Sequence, residues 1–159
     1  MSQYIAAHED EVQPDWIDSN GHMNLAYYVV VFDRATDRLY DVLGIGNAYR
    51  EATGNSCFTL ETHTLYEREV TVGERLRVNT TLLSVDAKRL HYFHEMFHAE
   101  EGHRVAAQEL LALHIDMRVR RAAPFPAAEM SKIEAAMITQ GTRSLPEGVG
   151  RRISLRSRK

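Results

Sequence analysis

Residues 24–43 hold the feature that most narrows what this chain can fold into. Leu25, Tyr28, Val29, Phe32, Ala35, Thr36, Leu39 and Leu43 recur at intervals of three and four, the spacing that gathers side chains on one face of an α-helix. Asp33, Arg34, Asp37, Arg38 and Asp41 fall largely on the other faces. Gly44 and Gly46 follow, and glycine accepts the left-handed backbone that ends a helix. A span of about twenty residues at ~1.5 Å per residue is a rod of about 30 Å. A rod with one apolar stripe needs a broad apolar surface to cover it, and a sheet is the natural one.

The remaining chain supplies that sheet. Residues 3–13 read as a first strand ended by Pro14. Residues 57–70 are rich in β-formers, and Val72-Gly73-Glu74 is a turn. Residues 75–85 and 90–99 read as strands joined by a hairpin turn at Asp86-Ala87-Lys88-Arg89. Glu101-Gly102-His103 turns again into a long strand over 104–120. In that strand Val105, Ala107, Leu111, Leu113, Ile115, Met117 and Val119 alternate, which predicts them as its buried face. Pro124 and Pro126 close the sheet, and residues 126–139 read as a short second helix. A strand, a long helix and four further antiparallel strands predict an α+β fold, a curved antiparallel sheet wrapped around the helix.

Composition removes several classes. The 159 residues suit one domain with a real core. A formal net charge of -3 lacks the basic footprint of a nucleic-acid binder. We see no signal peptide and no apolar run that could span a bilayer, so no membrane role is expected. The single cysteine, Cys57, leaves no internal disulfide and fits a reducing compartment, the cytoplasm. Residues 1–140 are expected to form the domain. Residues 141–159 are expected to form a partly ordered basic tail, with Arg143, Arg151, Arg152, Arg156, Arg158 and Lys159.

Chemistry concentrates at the helix entry, Asp18-Ser19-Asn20-Gly21-His22-Met23-Asn24, with Tyr28 four residues on. A carboxylate can act as nucleophile or general base, and the first free N–H groups of a helix can hold a developing oxyanion. The backbone N–H groups of His22 and Met23 are the expected oxyanion donors. These parts suit acyl transfer or hydrolysis. Asp18, Asn20 and Asn24 are equally the residue types that cap helices and turn loops. Glu61 and His63, two apart, share one strand face, and by themselves read as an exposed ion pair. Eight histidines raise a metal site, with His91, His94, His98 and Glu95 as its candidates. On a strand, however, His91 faces away from His94 and His98, and no HExxH helix or cysteine cluster occurs, so no metal or other cofactor is expected. Trp16, Tyr27, Tyr28 and Tyr66 are core aromatics or walls of a pocket able to hold a quaternary ammonium. Lys88 and Arg89 at the hairpin tip could meet phosphates.

The Asp-x-Asn-Gly-His-Met-Asn-x-x-x-Tyr segment and the order of elements resemble the hotdog-fold thioesterases. The segment is similar to the active-site helix entry of the 4-hydroxybenzoyl-CoA thioesterase group and of acyl-ACP thioesterases. Thr59-Leu60-Glu61-Thr62-His63, Gly73-Glu74 and Asp86-Ala87-Lys88-Arg89-Leu90-His91-Tyr92-Phe93-His94 resemble the thioesterase domain fused to some carnitine dehydrogenases. They also resemble free-standing relatives linked to carnitine and betaine breakdown. The likeness runs over residues 8–155, including Gly150-Arg151-Arg152-Ile153. It implies a hotdog fold and metal-free hydrolysis of a small acyl-CoA, betainyl-CoA leading. Asp18 would be the catalytic carboxylate, with Asn20 and His22 positioning carbonyl or water. Glu61 would be a second group delivered across a dimer interface. Trp16, Asn24, Tyr27, Tyr28, His63 and Tyr66 would line the substrate, and Lys88 and Arg89 would meet CoA. A homodimer is the minimum assembly, with tetramers open. A short-chain or aryl acyl-CoA thioesterase, a hotdog dehydratase and a non-catalytic acyl-CoA binding module remain alternatives, and the Asp-first motif argues against the dehydratase.

Overall fold

Asn24 starts the long helix. In the computed structural model, which describes residues 4–142 and 144–155, α1 runs Leu25–Leu43. The Ala26 N–H donates to Asn24 Oδ1 at 3.0 Å, and Gly44 ends the helix with φ of 74°. Tyr28, Val31, Phe32, Ala35, Leu39 and Leu43 are buried. Leu25 and Val29, expected in the stripe, remain 62% and 41% exposed, and Val31 completes it instead. The tail residues Arg143, Arg156, Arg158 and Lys159 lie outside the described residues.

The strands are β1 (Ala6–Glu11), β2 (Asn55–Tyr66), β3 (Arg75–Val85), β4 (Arg89–His98), β5 (Arg104–Asp116) and the two-residue β6 (Arg121–Ala122). Three elements were not foreseen: a 3-10 turn at Pro14–Trp16, a short α2, Asn47–Thr53, and β6. The second long helix, α3, spans Ala127–Gln140. The sheet is antiparallel in the order β1-β3-β4-β5-β2. Strand β2 therefore forms an edge although it precedes β3 in the chain.

The sheet curls around α1, and β4 shows which face the helix covers. Phe32 stacks on His94, Thr36 Oγ1 lies 3.0 Å from His94 Nε2, and the Tyr40 and Tyr92 hydroxyls meet at 3.3 Å. Leu90, Tyr92, His94 and Met96 thus point inward and are fully buried.

Strand β5 departs from expectation in part: Val105, Ala107 and Ile115 are buried as expected, but the rest of the expected face is not. Its inward residues are Leu110, Ala112 and His114, opposite Tyr92, Leu90 and Lys88 O respectively. Leu111 and Leu113 sit on the outer face, Met117 is beyond the strand, and Val119 is exposed. The reason is a bulge: Met96 pairs Ala106 but Phe97 pairs Arg104, which leaves Val105 as an extra, buried residue. One inserted residue flips the facing of everything beyond it.

The outer face carries part of the C-terminal segment. Arg104 Nη1 donates to Glu147 O at 2.9 Å, and the Gly150 N–H donates to Glu109 Oε2 at 2.7 Å. Between them Gly148 has φ of 105°, and a Cβ there would come within 2.9 Å of Leu65 Cδ1. Glycine is required on both counts. No described helix is long and apolar enough to cross a membrane.

Candidate active site

The helix-entry loop is pinched shut at its base. Ile17 and Met23 form an isolated bridge, the Asp18 N–H donates to His22 O at 3.1 Å, and the Asn24 N–H donates to Trp16 O at 2.9 Å. Gly21 closes the turn with φ of 83° and donates to Asp18 O at 3.0 Å. Both carboxylate oxygens of Asp18 are addressed from the loop. Oδ1 accepts the Asn20 N–H at 2.8 Å, and Oδ2 faces the Asn24 amide at 3.4 Å. Asp18 therefore does turn the loop, and in doing so its carboxylate is aimed at the helix start. His22 Nδ1 lies 3.3 Å from Met23 O, which makes Nδ1 the protonated nitrogen. Its Nε2 lies 3.9 Å from Glu69.

The amides at the helix start differ from expectation. The Met23 N–H donates to Val70 O at 2.8 Å, and Met23 is buried. It is a core anchor, not an oxyanion donor. The Ala26 and Tyr27 N–H groups are taken by Asn24 Oδ1 and O. The His22 N–H takes no backbone partner among the described residues. Leu25, the first helical residue, has no helical carbonyl to meet. Among the described residues the Leu25 N–H is thus the first helical amide without a partner, a position that sequence reasoning missed because it depended on which amides the loop consumes.

The aromatic residues gather here but are not equally available. Trp16, 5% exposed, stacks on Tyr27 at 5.3 Å, and the Arg34 guanidinium lies 5.3 Å from the Trp16 ring centroid. Tyr28 is buried, donates to Arg68 O at 3.1 Å and meets Tyr66 edge-on at 5.4 Å. Burial pushes the Tyr28 hydroxyl pKa up. Tyr66, 47% exposed, donates to Leu25 O at 3.4 Å and offers the open ring of the group.

Glu61 and His63 lie elsewhere. They project from the outer face of β2 into a cavity of about 460 Å³, and none of residues 16–28 lines it. Ser84, Arg89, His91, Glu109, Leu111 and Arg151 share that lining. His91 Nε2 donates to Glu109 Oε1 at 2.7 Å. The Arg89 guanidinium donates to Asp86 at 2.7 Å, and that bond pulls the Asp86 carboxyl down to about 2. The Lys88 N–H donates to the same carboxylate at 2.9 Å. Within one protomer the helix-entry residues and the pair Glu61 and His63 therefore do not meet. His91 and Glu109 became partners through β4–β5 register, which no local pattern carries.

A second, smaller cavity of about 180 Å³ lies between α1 and the free edge of β2. Asp33, Asp37, Tyr40, Cys57 and Thr59 are among its walls. Burial first, then the neighbouring Asp33 and Asp41 charges, raise the Asp37 carboxyl above its usual value. The edge is open: Thr59 and Glu61 straddle a bulge, and Leu60 between them is 54% exposed. Among the described residues no three His, Cys, Asp or Glu side chains gather as metal ligands, and His94 is enclosed by Thr36 and Thr80.

Residues 12–134 match the model of the thioesterase-like superfamily. A betainyl-CoA thioesterase of Pseudomonas aeruginosa is 40% identical over 155 residues, covering 98% of each chain. An L-carnitine dehydrogenase/betainyl-CoA thioesterase of Rhizobium meliloti is 34% identical over 91% of this chain, which spans 29% of that longer protein. A Staphylococcus aureus protein solved in complex with CoA superposes with a TM-score of 0.88 at 30% identity, covering 94% of each chain. The match over most of the chain, the relative at 40% identity and the shared curled sheet around one helix lead to one conclusion: the chain belongs to the thioesterase-like superfamily, with the hotdog fold.

Proposed function

We propose that the chain hydrolyses the thioester of a small acyl-CoA, betainyl-CoA before others, at sites built between two copies. The observation that carries the reading is the Asp18 carboxylate, held by Asn20 and Asn24 beside the free amide at the start of α1. The acyl oxygen would sit against the His22 and Leu25 N–H groups, where the helix dipole favours negative charge. Asp18 would take a proton from a water that attacks the carbonyl carbon, or attack that carbon itself to give an acyl-aspartate that water then opens. In either route the tetrahedral adduct expels the CoA thiolate, which leaves protonated, and the acid is released. Asn20 and His22 would orient the carbonyl and the water. No metal or other cofactor is required.

Homodimerisation is supported by the open β2 edge, which presents unpaired backbone groups beside exposed Leu60. An antiparallel β2–β2 pairing centred near residues 59–62 reverses one strand against the other. The partner's helix start would then lie alongside residues 55–58 and the hairpin of Lys88 and Arg89. In that arrangement Lys88, Arg89 and Arg151 are available for CoA phosphates, and Glu61 and His63 lie near the two-fold axis. Asp33, Asp37 and Asp41 outnumber the one cation, Arg50, in the cavity beside the same edge, a balance that suits a cationic acyl group, with Tyr66 as the accessible ring. The single cysteine, free and partly buried, supports a reducing compartment such as the cytoplasm.

The test is thiol release from betainyl-, aryl- and fatty acyl-CoA by the wild type and by Asp18→Asn. The substitution is nearly isosteric but uncharged, so turnover should fall ~10²-fold or more with the fold intact. Glu61→Gln should lose less. Near wild-type turnover by Asp18→Asn would remove Asp18 from the chemistry, and no release from any ester would leave a binding module.

A further inference from the structure

We infer that Arg34 is a positioning residue for the Asp18 carboxylate, acting through Trp16. The inference rests on the assignment of Asp18 above. Every link is a contact in the structure. Arg34 and Tyr27 are seven apart on α1, so they share one stripe of the helix. The Arg34 guanidinium is tied to β1 by donating to Asp10 Oδ2 at 2.7 Å, and it also covers the Trp16 ring. Tyr27 stacks on the same indole at 11° between planes. Trp16 is thereby held against the helix by two α1 side chains, one of them anchored to the sheet.

Trp16 passes this placement to the loop. Its carbonyl accepts the Asn24 N–H, and its neighbour Ile17 forms the bridge to Met23. Asn24 then serves two masters: Oδ1 caps α1, and the amide nitrogen faces Asp18 Oδ2. The Asn24–Asp18 contact is long, at 3.4 Å, so a small shift of Asn24 would lose it. A shift of Trp16 therefore reaches Asp18 through one backbone bond and one side chain.

The clamp is separable from the fold. Arg34 is half exposed, and Asp10, although mostly covered, keeps the Glu11 N–H at 2.9 Å and His8 Nε2 at 3.4 Å as partners when Arg34 is removed. The loop keeps a second anchor, the Met23 N–H on Val70 O. Loss of Arg34 should therefore loosen the carboxylate without unfolding the chain. The planar guanidinium can lie along an indole while donating to a carboxylate, and an ammonium does this less well.

The experiment uses the full chain and the best acyl-CoA found. Arg34→Met keeps the stem and removes the charge, Arg34→Lys restores charge without the plane, and Asp10→Asn frees the guanidinium with the helix untouched. Arg34→Met should lower kcat ~10- to 100-fold, the scale of a misplaced catalytic group. KM should stay within ~3-fold and Tm within a few degrees. Arg34→Lys and Asp10→Asn should fall between Arg34→Met and wild type. The deciding measurement is the pair of variants together: in an Asp18→Asn background, Arg34→Met should cost almost nothing further in residual turnover, because the group it positions is already disabled. Full kcat in Arg34→Met, an equal loss in both backgrounds, or a loss that tracks Tm across the variants would overturn the inference. If Asp18→Asn itself retains turnover, the catalytic assignment fails first, and that outcome is visible in the single variant.

Discussion

Acid should destabilise this protein through one buried side chain, His94. Its ring is fully enclosed on the inner face of β4, stacked on Phe32 at 5.8 Å. Nε2 lies 3.0 Å from Thr36 Oγ1 and Nδ1 lies 2.9 Å from Thr80 Oγ1, so both nitrogens are satisfied in the neutral form. Burial, with a smaller effect of the nearby His8 charge, pulls the His94 pKa down to about 3. In the unfolded chain the same group titrates near ~6.5. Between those values the unfolded state binds a proton that the folded state does not. Stability is therefore full above ~6.5 and falls as pH drops toward 3. At pH 5 the loss is ~2 kcal/mol relative to pH 8, at ~1.36 kcal/mol per unit once the unfolded histidine is protonated. For a chain of this size that is about 4–8 °C in Tm. Trp16, the single tryptophan and a buried one, reports unfolding by fluorescence in urea at fixed protein concentration. The comparison is His94→Gln, whose amide can still meet both threonines but does not titrate. The variant is expected to be less stable at pH 8, yet to lose ~2 kcal/mol less between pH 8 and pH 5. The other histidines are present in both chains and cancel. Parallel decline of the two proteins would refute the reasoning.

Three further outcomes follow from the proposed site. Replacing the trimethylammonium of betainyl-CoA by a neutral tert-butyl group should lower kcat/KM roughly 5- to 150-fold, ~1–3 kcal/mol, and Asp37→Asn should narrow that gap; equal efficiency on the two esters would leave a generic short-chain or aryl thioesterase. Combining Lys88→Ala with Arg151→Ala should raise KM for acyl-CoA ~10-fold while sparing the N-acetylcysteamine thioester of the same acid, and a parallel rise on both would detach these cations from the phosphates. Leu60→Asp sets like charges against each other across a β2–β2 seam, so light scattering at micromolar concentration should show monomers with little activity; a wild-type monomer that is fully active would end the dimer proposal.

The helix and the hairpins were readable from residue order because each depends on neighbours in the chain. The three-and-four spacing, the Asn24 cap and Gly44 bound α1 within a residue, and the turns at Gly73 and Asp86 delimit β3. The helix-entry loop was readable for the same reason: Asp18, Asn20, Gly21 and Asn24 satisfy one another within seven residues. The facing of β5 was not, because its apolar residues occupy both parities from Val105 to Leu113, and the choice between them lies in pairing with β4 and in the bulge at Val105. That choice carries Glu61, His63, His91 and Glu109 to the outer face. The use of the Met23 amide by Val70, and the covering of Trp16 by Arg34 under Asp10, likewise join segments far apart in the chain. Periodicity and turn chemistry act through backbone angles a few residues wide, so they can be read in order. Which amide, ring or strand edge is left over for a substrate depends on where distant partners have been spent, and that is settled only when the sheet closes around the helix.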